Sequence, residues 1–212
     1  MDAFIKTDQF QFIKAQAQYL INGYGTTNDM QVLNTLESLA LERTLSLFTD
    51  ITEEQLELLK PIVNVRNQLD ADHYLSQIKQ YVIPFNNVKQ QTIQKLFPKV
   101  KKLKVPSLDS LDFKEISYLA WDDKGTNRRY IIFNSNNKLM GLYGKYTGSN
   151  VKGICALCNR HGKVGLFMTE KKGATQDTYR NKGNYICEDS IQCNQHITSQ
   201  EKLINFVDWL TC

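Results

Sequence analysis

The sequence predicts an α+β protein in two parts, a helical bundle over residues 1–82 and an α/β domain over residues 83–212. Three observations predict this. Apolar residues recur at helical spacing as far as Pro84, strand-like runs begin near residue 115, and all five cysteines lie after residue 154. Helices and strands therefore occupy separate parts of the chain, which is typical of an α+β fold.

The composition indicates a folded chain. With 212 residues, of which 42% are hydrophobic and 23% charged, the chain can bury one large core or two small ones. Disordered, collagen-like and mini-protein classes are therefore excluded. No stretch has the roughly 18 apolar residues of a membrane span, and the first residues lack the basic and apolar regions of a signal peptide. We expect a cytoplasmic protein without a membrane partner.

The N-terminal part predicts four amphipathic helices joined by short loops, which favours an antiparallel bundle. Thr52 and Gln55 form a capping-box pattern that opens the third helix, and Pro61 should kink or shorten it. Asp70 is the predicted cap of the fourth helix, which ends at Pro84.

The C-terminal part begins with a further helical piece, predicted over about Asn87–Phe97, and then changes to strands. The runs Ile116–Trp121 and Tyr130–Phe133 are rich in aromatic and β-branched residues, and the polar residues between them suit a hairpin turn. Because Leu139–Tyr143 follows as a third run, we expect a three-strand meander. A short helix over Ser199–Leu210 is predicted to end the chain.

Charge is unevenly divided along the chain. The formal net charge is +4, but residues 1–82 carry 6 basic and 11 acidic side chains, net −5, and residues 83–212 carry 20 and 11, net +9. This asymmetry suggests that the second part meets an acidic protein surface or nucleic acid. Four lysines within six residues form either a solvated linker or a contact patch for an acidic partner: Lys99, Lys101, Lys102 and Lys104.

Four cysteines have the spacing of metal ligands. Cys155 and Cys158 form a CxxC pair, and Cys187 and Cys193 follow from a distant segment. Thiolates in this pattern suit tetrahedral zinc, and four of them leave no open coordination position, so we expect one structural Zn²⁺. A structural ion of this kind contributes its binding energy to folding.

Two further roles for these cysteines stay open. The CxxC pair could be a redox motif, or the thiols could be free and buried. Within the zinc interpretation, His196 or His161 could replace one cysteine as a ligand, because His196 lies three residues after Cys193. The last residue, Cys212, is interpreted as an uninvolved thiol.

The residues between the two cysteine pairs predict a treble-clef-like four-cysteine zinc finger over about residues 151–198. Val164–Thr169 alternates like a strand, and Tyr185 and Ile186 lead into Cys187. A knuckle, a hairpin and ligands around a short helical turn make up such a finger. The basic stretches 171–173 and 180–183 are predicted to be exposed hairpin tips that a partner could contact.

Motifs typical of enzymes are absent from the sequence. It contains no Walker A loop, GxSxG, HExxH or GxGxxG. Carboxylate pairs such as Glu53–Glu54 and Asp122–Asp123 are more simply a helix N-terminus and a turn than acid/base dyads. We therefore expect a protein that is not an enzyme.

Several stretches of the second part carry a family resemblance. They are Val151–Asn159, Leu166–Met168 and Lys182–Asn194, together with Asn127–Ile132 and Lys138–Gly144. These stretches resemble the FusB/FusC family of fusidic acid resistance proteins, which bind elongation factor G. The overall length also agrees, and the N-terminal helices agree in character.

The resemblance implies an adaptor that helps elongation factor G leave ribosomes on which fusidic acid has locked it, so that contact with the ribosome is indirect. It also implies an N-terminal helical bundle and a C-terminal domain whose zinc finger uses the four cysteines above. The family's contact with the factor implies partner-binding roles for Ile154, Lys182 and Tyr185, with Ile154 at a position where relatives can carry Phe. We expect the protein to be a monomer.

Two alternatives to these implications stay open. The protein could be an RNA-binding zinc-ribbon module that contacts the ribosome through its lysine-rich surface. Tyr185 could pack in the core beside the metal instead of contacting a partner.

Overall fold

The computed structural model describes residues 1–85, 88–135, 138–172 and 179–211. These residues fall into two compact units, Met1–Ile83 and Pro84–Cys212. The first unit is helical, and the second is built around a β-sheet. No described helix is both long and apolar enough to cross a membrane.

The first unit is a helical bundle whose capping residues agree in part with the sequence. Its helices are α1 (Thr7–Thr26), α2 (Met30–Leu45), α3 (Glu53–Leu59) and α4 (Gln68–Lys79). Thr52 and Gln55 form the predicted capping box. The prediction that Asp70 caps α4 is wrong: the Asn67 side chain accepts a hydrogen bond from the backbone N–H of Asp70 at 3.0 Å, one turn earlier than expected.

Pro61 shortens the third helix as predicted. The α-helix ends at Leu59, and a 3₁₀ turn over Lys60–Asn64 continues it with the proline near its start. Proline is tolerated there because the first N–H groups of a helix have no internal partner. This turn buries Ile62 in the core of the unit.

The two ends of the first unit are joined by a backbone clip. Ile5 and Val82 form an isolated parallel bridge, and the N–H of Ile83 donates to the carbonyl of Ile5 at 2.8 Å. The N–H of Phe4 donates to Tyr81 at 2.9 Å. Because Ile5 and Val82 are fully buried, this pairing brings residues from the first and last segments of the unit into its core.

The second unit contains an antiparallel sheet of five described strands in sequence order. They are β1 (Tyr118–Asp123), β2 (Arg128–Ser135), β3 (Lys138–Ile154), β4 (His161–Lys172) and β5 (Tyr179–Cys187). The predicted meander and the predicted finger hairpin therefore belong to one sheet. Strand β3 joins them, because it runs well beyond the predicted end at Tyr143 and pairs with β2 in its first half and β4 in its second.

Helices and a long connection cover the sheet. Helix α5 (Gln90–Leu96) and the segment after it pack with Phe97, Tyr130 and Ile132 in one core cluster. A second cluster contains Phe167 and the cysteines, and it is covered by α7 (Glu201–Thr211). The four residues of α7 that the sequence predicts to be buried are buried: Leu203, Phe206, Val207 and Leu210.

A buried asparagine ties α6 (Ser190–Asn194) to the first strand. The Asn194 side chain accepts hydrogen bonds from the N–H groups of Ser117 and Tyr118 at 2.7 and 3.2 Å. Its amide group donates to the carbonyls of Tyr118 and Ser190, both at 2.9 Å. Since α6 also carries a cysteine, these bonds set the position of that cysteine relative to the sheet.

The sheet leaves no room for a side chain at Gly144 of β3. A Cβ atom there would lie 2.2 Å from the carbonyl oxygen of Met168. We expect Gly144→Ala to lower the free energy of unfolding by about 1–3 kcal/mol, because the neighbouring strand must shift. Chemical denaturation measures this change. Gly162→Ala in β4 is the matched control, since a Cβ there meets nothing within 4 Å; equal losses in both variants would contradict the argument.

Candidate metal centre and partner surface

Cys155 and Cys158 lie in a tight knuckle between β3 and β4. The N–H of Cys155 donates to Arg160 at 3.0 Å, and the N–H of Asn159 donates to the carbonyl of Cys155 at 2.9 Å. Asn159 has φ 57, a left-handed conformation that asparagine tolerates better than most residues. Both thiols of the turn are buried.

Cys187 and Cys193 reach the same place from the other end of the finger. Cys187 ends β5, and Cys193 lies in α6. Asp189 caps this helix by accepting hydrogen bonds from the N–H groups of Ile191 and Gln192 at 2.8 and 3.1 Å. Asp189 lies two residues after the end of the strand, and the helix begins at the next residue, so the two cysteines lie close in space.

The four sulfur atoms have the spacing of a tetrahedral metal site. All four lie within 4.8 Å of one another. The distance from Cys155 Sγ to Cys193 Sγ is 3.7 Å, and that from Cys158 Sγ to Cys187 Sγ is 3.6 Å. Four sulfurs about 2.3 Å from a central zinc ion are about 3.8 Å apart in a regular tetrahedron. The residues present therefore fit a closed zinc site.

Without a cation, the four thiols of the cluster do not all ionise. Hydrogen bonds within the cluster, that from Cys158 first, hold the pKa of Cys155 well below its ordinary value. The same bonds raise the pKa of Cys187 and Cys193, chiefly through their contacts with Cys155. Four buried thiolates cannot coexist at this distance unless a positive ion balances their charge. A divalent soft-metal ion supplies that balance and leaves no open position for catalysis.

The histidine alternatives for this site are not supported. Within the described part of the chain, the metal-binding group consists of cysteines alone. His196 lies with its Nδ1 2.8 Å from the carbonyl oxygen of Gln192, and His161 is exposed. The interpretation of Cys212 as an uninvolved thiol concerns a residue outside the described ranges.

Two of the three predicted partner-binding residues are exposed apolar side chains beside the cysteines. Ile154 is 63% exposed and Tyr185 45% exposed. The alternative prediction, that Tyr185 packs in the core beside the metal, is therefore wrong. The N–H of Ala156 in the knuckle donates to the carbonyl of Tyr185 at 2.8 Å, so the backbone next to Ile154 is tied to the strand that carries Tyr185.

Lys182 lies elsewhere on the same strand. In β5 it pairs with Thr169, and Tyr185 pairs with Leu166. Two residues three positions apart in a strand project to opposite faces of the sheet, so Lys182 and Tyr185 do not share a face. The prediction that residues 180–183 form a hairpin tip is also wrong, because they pair with β4 inside the strand. The other predicted tip, residues 171–173, extends outside the described residues at Gly173.

The contacts of Lys182 reveal an aromatic residue that the sequence reasoning missed. Its Nζ donates to the carbonyl oxygen of Trp209 at 3.0 Å and lies 5.8 Å from the centre of the Trp209 ring. Trp209 is 47% exposed although it lies on α7 between the buried Val207 and Leu210. The sequence feature that could have indicated Trp209 is a large aromatic residue at a polar position of an amphipathic helix.

A helical unit followed by an antiparallel sheet that ends in a buried four-cysteine centre defines a two-domain zinc-finger protein. Two family models match the chain: the elongation factor G-binding protein N-terminal domain over residues 4–86, and the FBP C-terminal treble-clef zinc finger over residues 91–207. The chain belongs to this family of elongation factor G-binding proteins. Its second unit is a treble-clef finger that holds one structural Zn²⁺.

A solved structure supports the same family. The structure described as that of the fusidic acid resistance protein FusC is 34% identical and has a TM-score of 0.85, and the match covers 98% of each chain. No curated protein matches the chain in a sequence search. The resemblance predicted from the residues after Asn127 is therefore confirmed, and the match extends to the N-terminal helices.

We expect Cys155→Ser to abolish zinc retention and to unfold the second unit. Cys155 Sγ accepts hydrogen bonds from the N–H groups of Leu157 and Cys187, both at 3.3 Å, so it joins the knuckle to β5 as well as holding the ion. Metal analysis and thermal melting measure the two effects. His196→Ala should keep one zinc per chain. A Cys155→Ser variant with full zinc content and an unchanged melting curve would refute this ligand assignment.

Proposed function

We propose that this protein binds elongation factor G and confers fusidic acid resistance by promoting release of the factor from drug-stalled ribosomes. The observation that carries the proposal is the pair of exposed apolar side chains, Ile154 and Tyr185, beside a buried metal centre in a chain of this family. The FusC structure, which matches nearly the whole chain, is described as a fusidic acid resistance protein.

The metal centre supports binding because it fixes the backbone that carries the exposed residues. Ile154 directly precedes Cys155, and Tyr185 lies two residues before Cys187. Side chains that are already ordered lose less conformational entropy when they enter an interface. Tyrosine is also enriched among residues that dominate binding energy. The zinc ion thus favours binding by holding the backbone of the contact residues in place. The activity proposed for the protein is binding and not catalysis.

The charge of the second unit supports an acidic partner. Residues 83–212 carry a net charge of +9, and such a surface speeds association with a negatively charged protein. Lys182 contributes one of these charges, and its position against Trp209 adds an exposed aromatic ring to the proposed surface. Binding should therefore weaken as salt is added.

A second candidate function is favoured by a separate observation. Lys99, Lys101, Lys102 and Lys104 are all exposed, as a contact with RNA phosphates would require. This alternative predicts tight binding to naked ribosomal RNA with a steep dependence on salt, whereas the first predicts a stable complex with isolated elongation factor G. Pull-down of purified factor and RNA binding at two salt concentrations distinguish them.

Binding to the factor should depend on Tyr185 and Ile154. We expect Tyr185→Ala to weaken binding about tenfold or more and Ile154→Ala to weaken it less, because truncation removes buried contact area and aromatic residues contribute most. Calorimetry with purified elongation factor G measures both. Met140→Ala is the matched control, since Met140 is 48% exposed in the same sheet. Unchanged affinity in the Tyr185 variant would count against the proposed surface.

Lys182→Ala should also weaken binding, but its interpretation needs a further variant. Because the Lys182 ammonium donates to a carbonyl in the last turn of α7, the alanine variant removes a favourable charge at a helix C-terminus. Trp209→Ala leaves that backbone bond possible while removing the exposed ring. A surface that includes α7 predicts weaker factor binding in both variants with melting temperatures close to wild type. If binding is lost only in a variant whose melting temperature is lowered, Lys182 has a structural role.

Release, oligomeric state and location complete the proposal. We propose that the protein acts as a cytoplasmic monomer and contacts the ribosome only through the factor. A translation reaction stalled with fusidic acid tests this step: added protein should restore synthesis and free the factor from sedimented ribosomes, whereas the Tyr185→Ala variant should restore much less. Restoration without factor release would contradict the proposed mechanism.

A further inference from the structure

A buried arginine lies beside the zinc finger and takes no part in the function proposed above. Arg129 belongs to β2 and is only 3% exposed. Its neighbour in sequence, Arg128, is exposed. Burying a guanidinium is costly unless its N–H groups are all directed to acceptors, so the contacts of Arg129 indicate what it does.

One side of the guanidinium is anchored to the sheet. Nε and Nη2 of Arg129 donate to the two carboxylate oxygens of Asp122 at 2.6 and 2.8 Å, a two-bond fork between paired residues of β1 and β2. The guanidinium carbon lies 3.6 Å from the centre of the Tyr146 ring of β3. Three strands therefore hold the group in one orientation.

The other side of the guanidinium reaches the metal-binding segment. Nη1 donates to the carbonyl oxygen of Cys187 at 2.6 Å, and Nη2 donates to the carbonyl oxygen of Glu188 at 2.7 Å. Glu188 is followed by Asp189, the cap of the helix that carries Cys193. The two carbonyls thus lie at the point where the chain passes from the third cysteine to the fourth.

We propose that Arg129 is a positioning residue of the zinc centre, which holds the backbone at Cys187 and Glu188 so that the third and fourth sulfurs meet the first two. The knuckle that carries Cys155 and Cys158 is shaped by its own backbone bonds. The N–H of Glu188 also donates to a backbone carbonyl, that of Lys163 at 3.1 Å, but the carbonyls of Cys187 and Glu188 accept from the Arg129 side chain. Arg129 links these carbonyls to Asp122, and so ties the backbone between the third and fourth cysteines to β1 and β2 as well as to β4.

Lysine cannot replace this arrangement. A guanidinium presents donors in a flat fork that meets a carboxylate and two carbonyls at once, whereas an ammonium group is a single point with a different geometry. Outer residues that orient metal ligands typically change metal affinity about 10–100-fold when they are replaced. The expected effect of Arg129→Lys is therefore on zinc retention, with the charge conserved.

The test measures how fast a chelator removes zinc from the full-length protein. We expect Arg129→Lys to release zinc about 10–100-fold faster than wild type. The control Arg128→Lys changes the adjacent exposed residue of the same strand and should release zinc at the wild-type rate. Asp122→Asn keeps Arg129 in place but weakens its anchor, so it should give a smaller increase.

Cobalt substitution adds a readout that a general loss of stability would not move. The absorption bands of Co²⁺ bound to four thiolates report the geometry of the sulfurs, so Arg129→Lys should shift these bands while Arg128→Lys should not. If Arg129→Lys does not fold, the faster release and shifted bands must appear in Asp122→Asn. Wild-type release rates and spectra in the folded Arg129 or Asp122 variants, even with lower melting temperatures, would overturn the proposal.

Discussion

The second unit depends on the convergence of four buried sulfur atoms from two distant segments. The knuckle at residues 155–158 and the segment 187–193 are separated by a hairpin, and their sulfur atoms meet at the cluster. Without an ion, the charges of the thiolates oppose this meeting. Structural zinc sites provide about 10–16 kcal/mol in zinc-finger peptides at pH 7, comparable to the whole stability of a small domain. Metal binding therefore contributes free energy to the folding of this end of the sheet.

The buried centre also explains why exposed apolar residues beside it are tolerated. Ile154 directly precedes a metal-binding cysteine, and the carbonyl of Tyr185 accepts a bond from the knuckle, so the backbone at both exposed residues is held in place. In a flexible loop such side chains would collapse onto the protein or promote aggregation. Apolar side chains on a backbone that the metal centre holds in place suit the binding surface proposed above.

The features that could be predicted from the sequence are those encoded locally. The CxxC spacing, the capping box at Thr52 and the apolar face of α7 each depend on residues within a few positions, and all three are present. The long strand β3 could not be predicted, because Gly144, Gly148 and Gly153 interrupt its alternation and only pairing with β2 and β4 extends it. Contacts between distant residues were equally out of reach: Arg129 and Cys187 lie 58 positions apart, and no periodicity connects them.

The position of β5 limits how a partner can use the proposed residues. Among the described strands, β5 is the last of the sheet and has β4 as its neighbour. Lys182 faces the side that α7 covers, and Tyr185 faces the other side. A partner that contacts both must therefore pass around the free edge of β5, where the knuckle already occupies the Tyr185 carbonyl. Such a partner would contact the finger on both faces of the sheet. The zinc-bound knuckle would hold the end of β5 that lies between these two contacts.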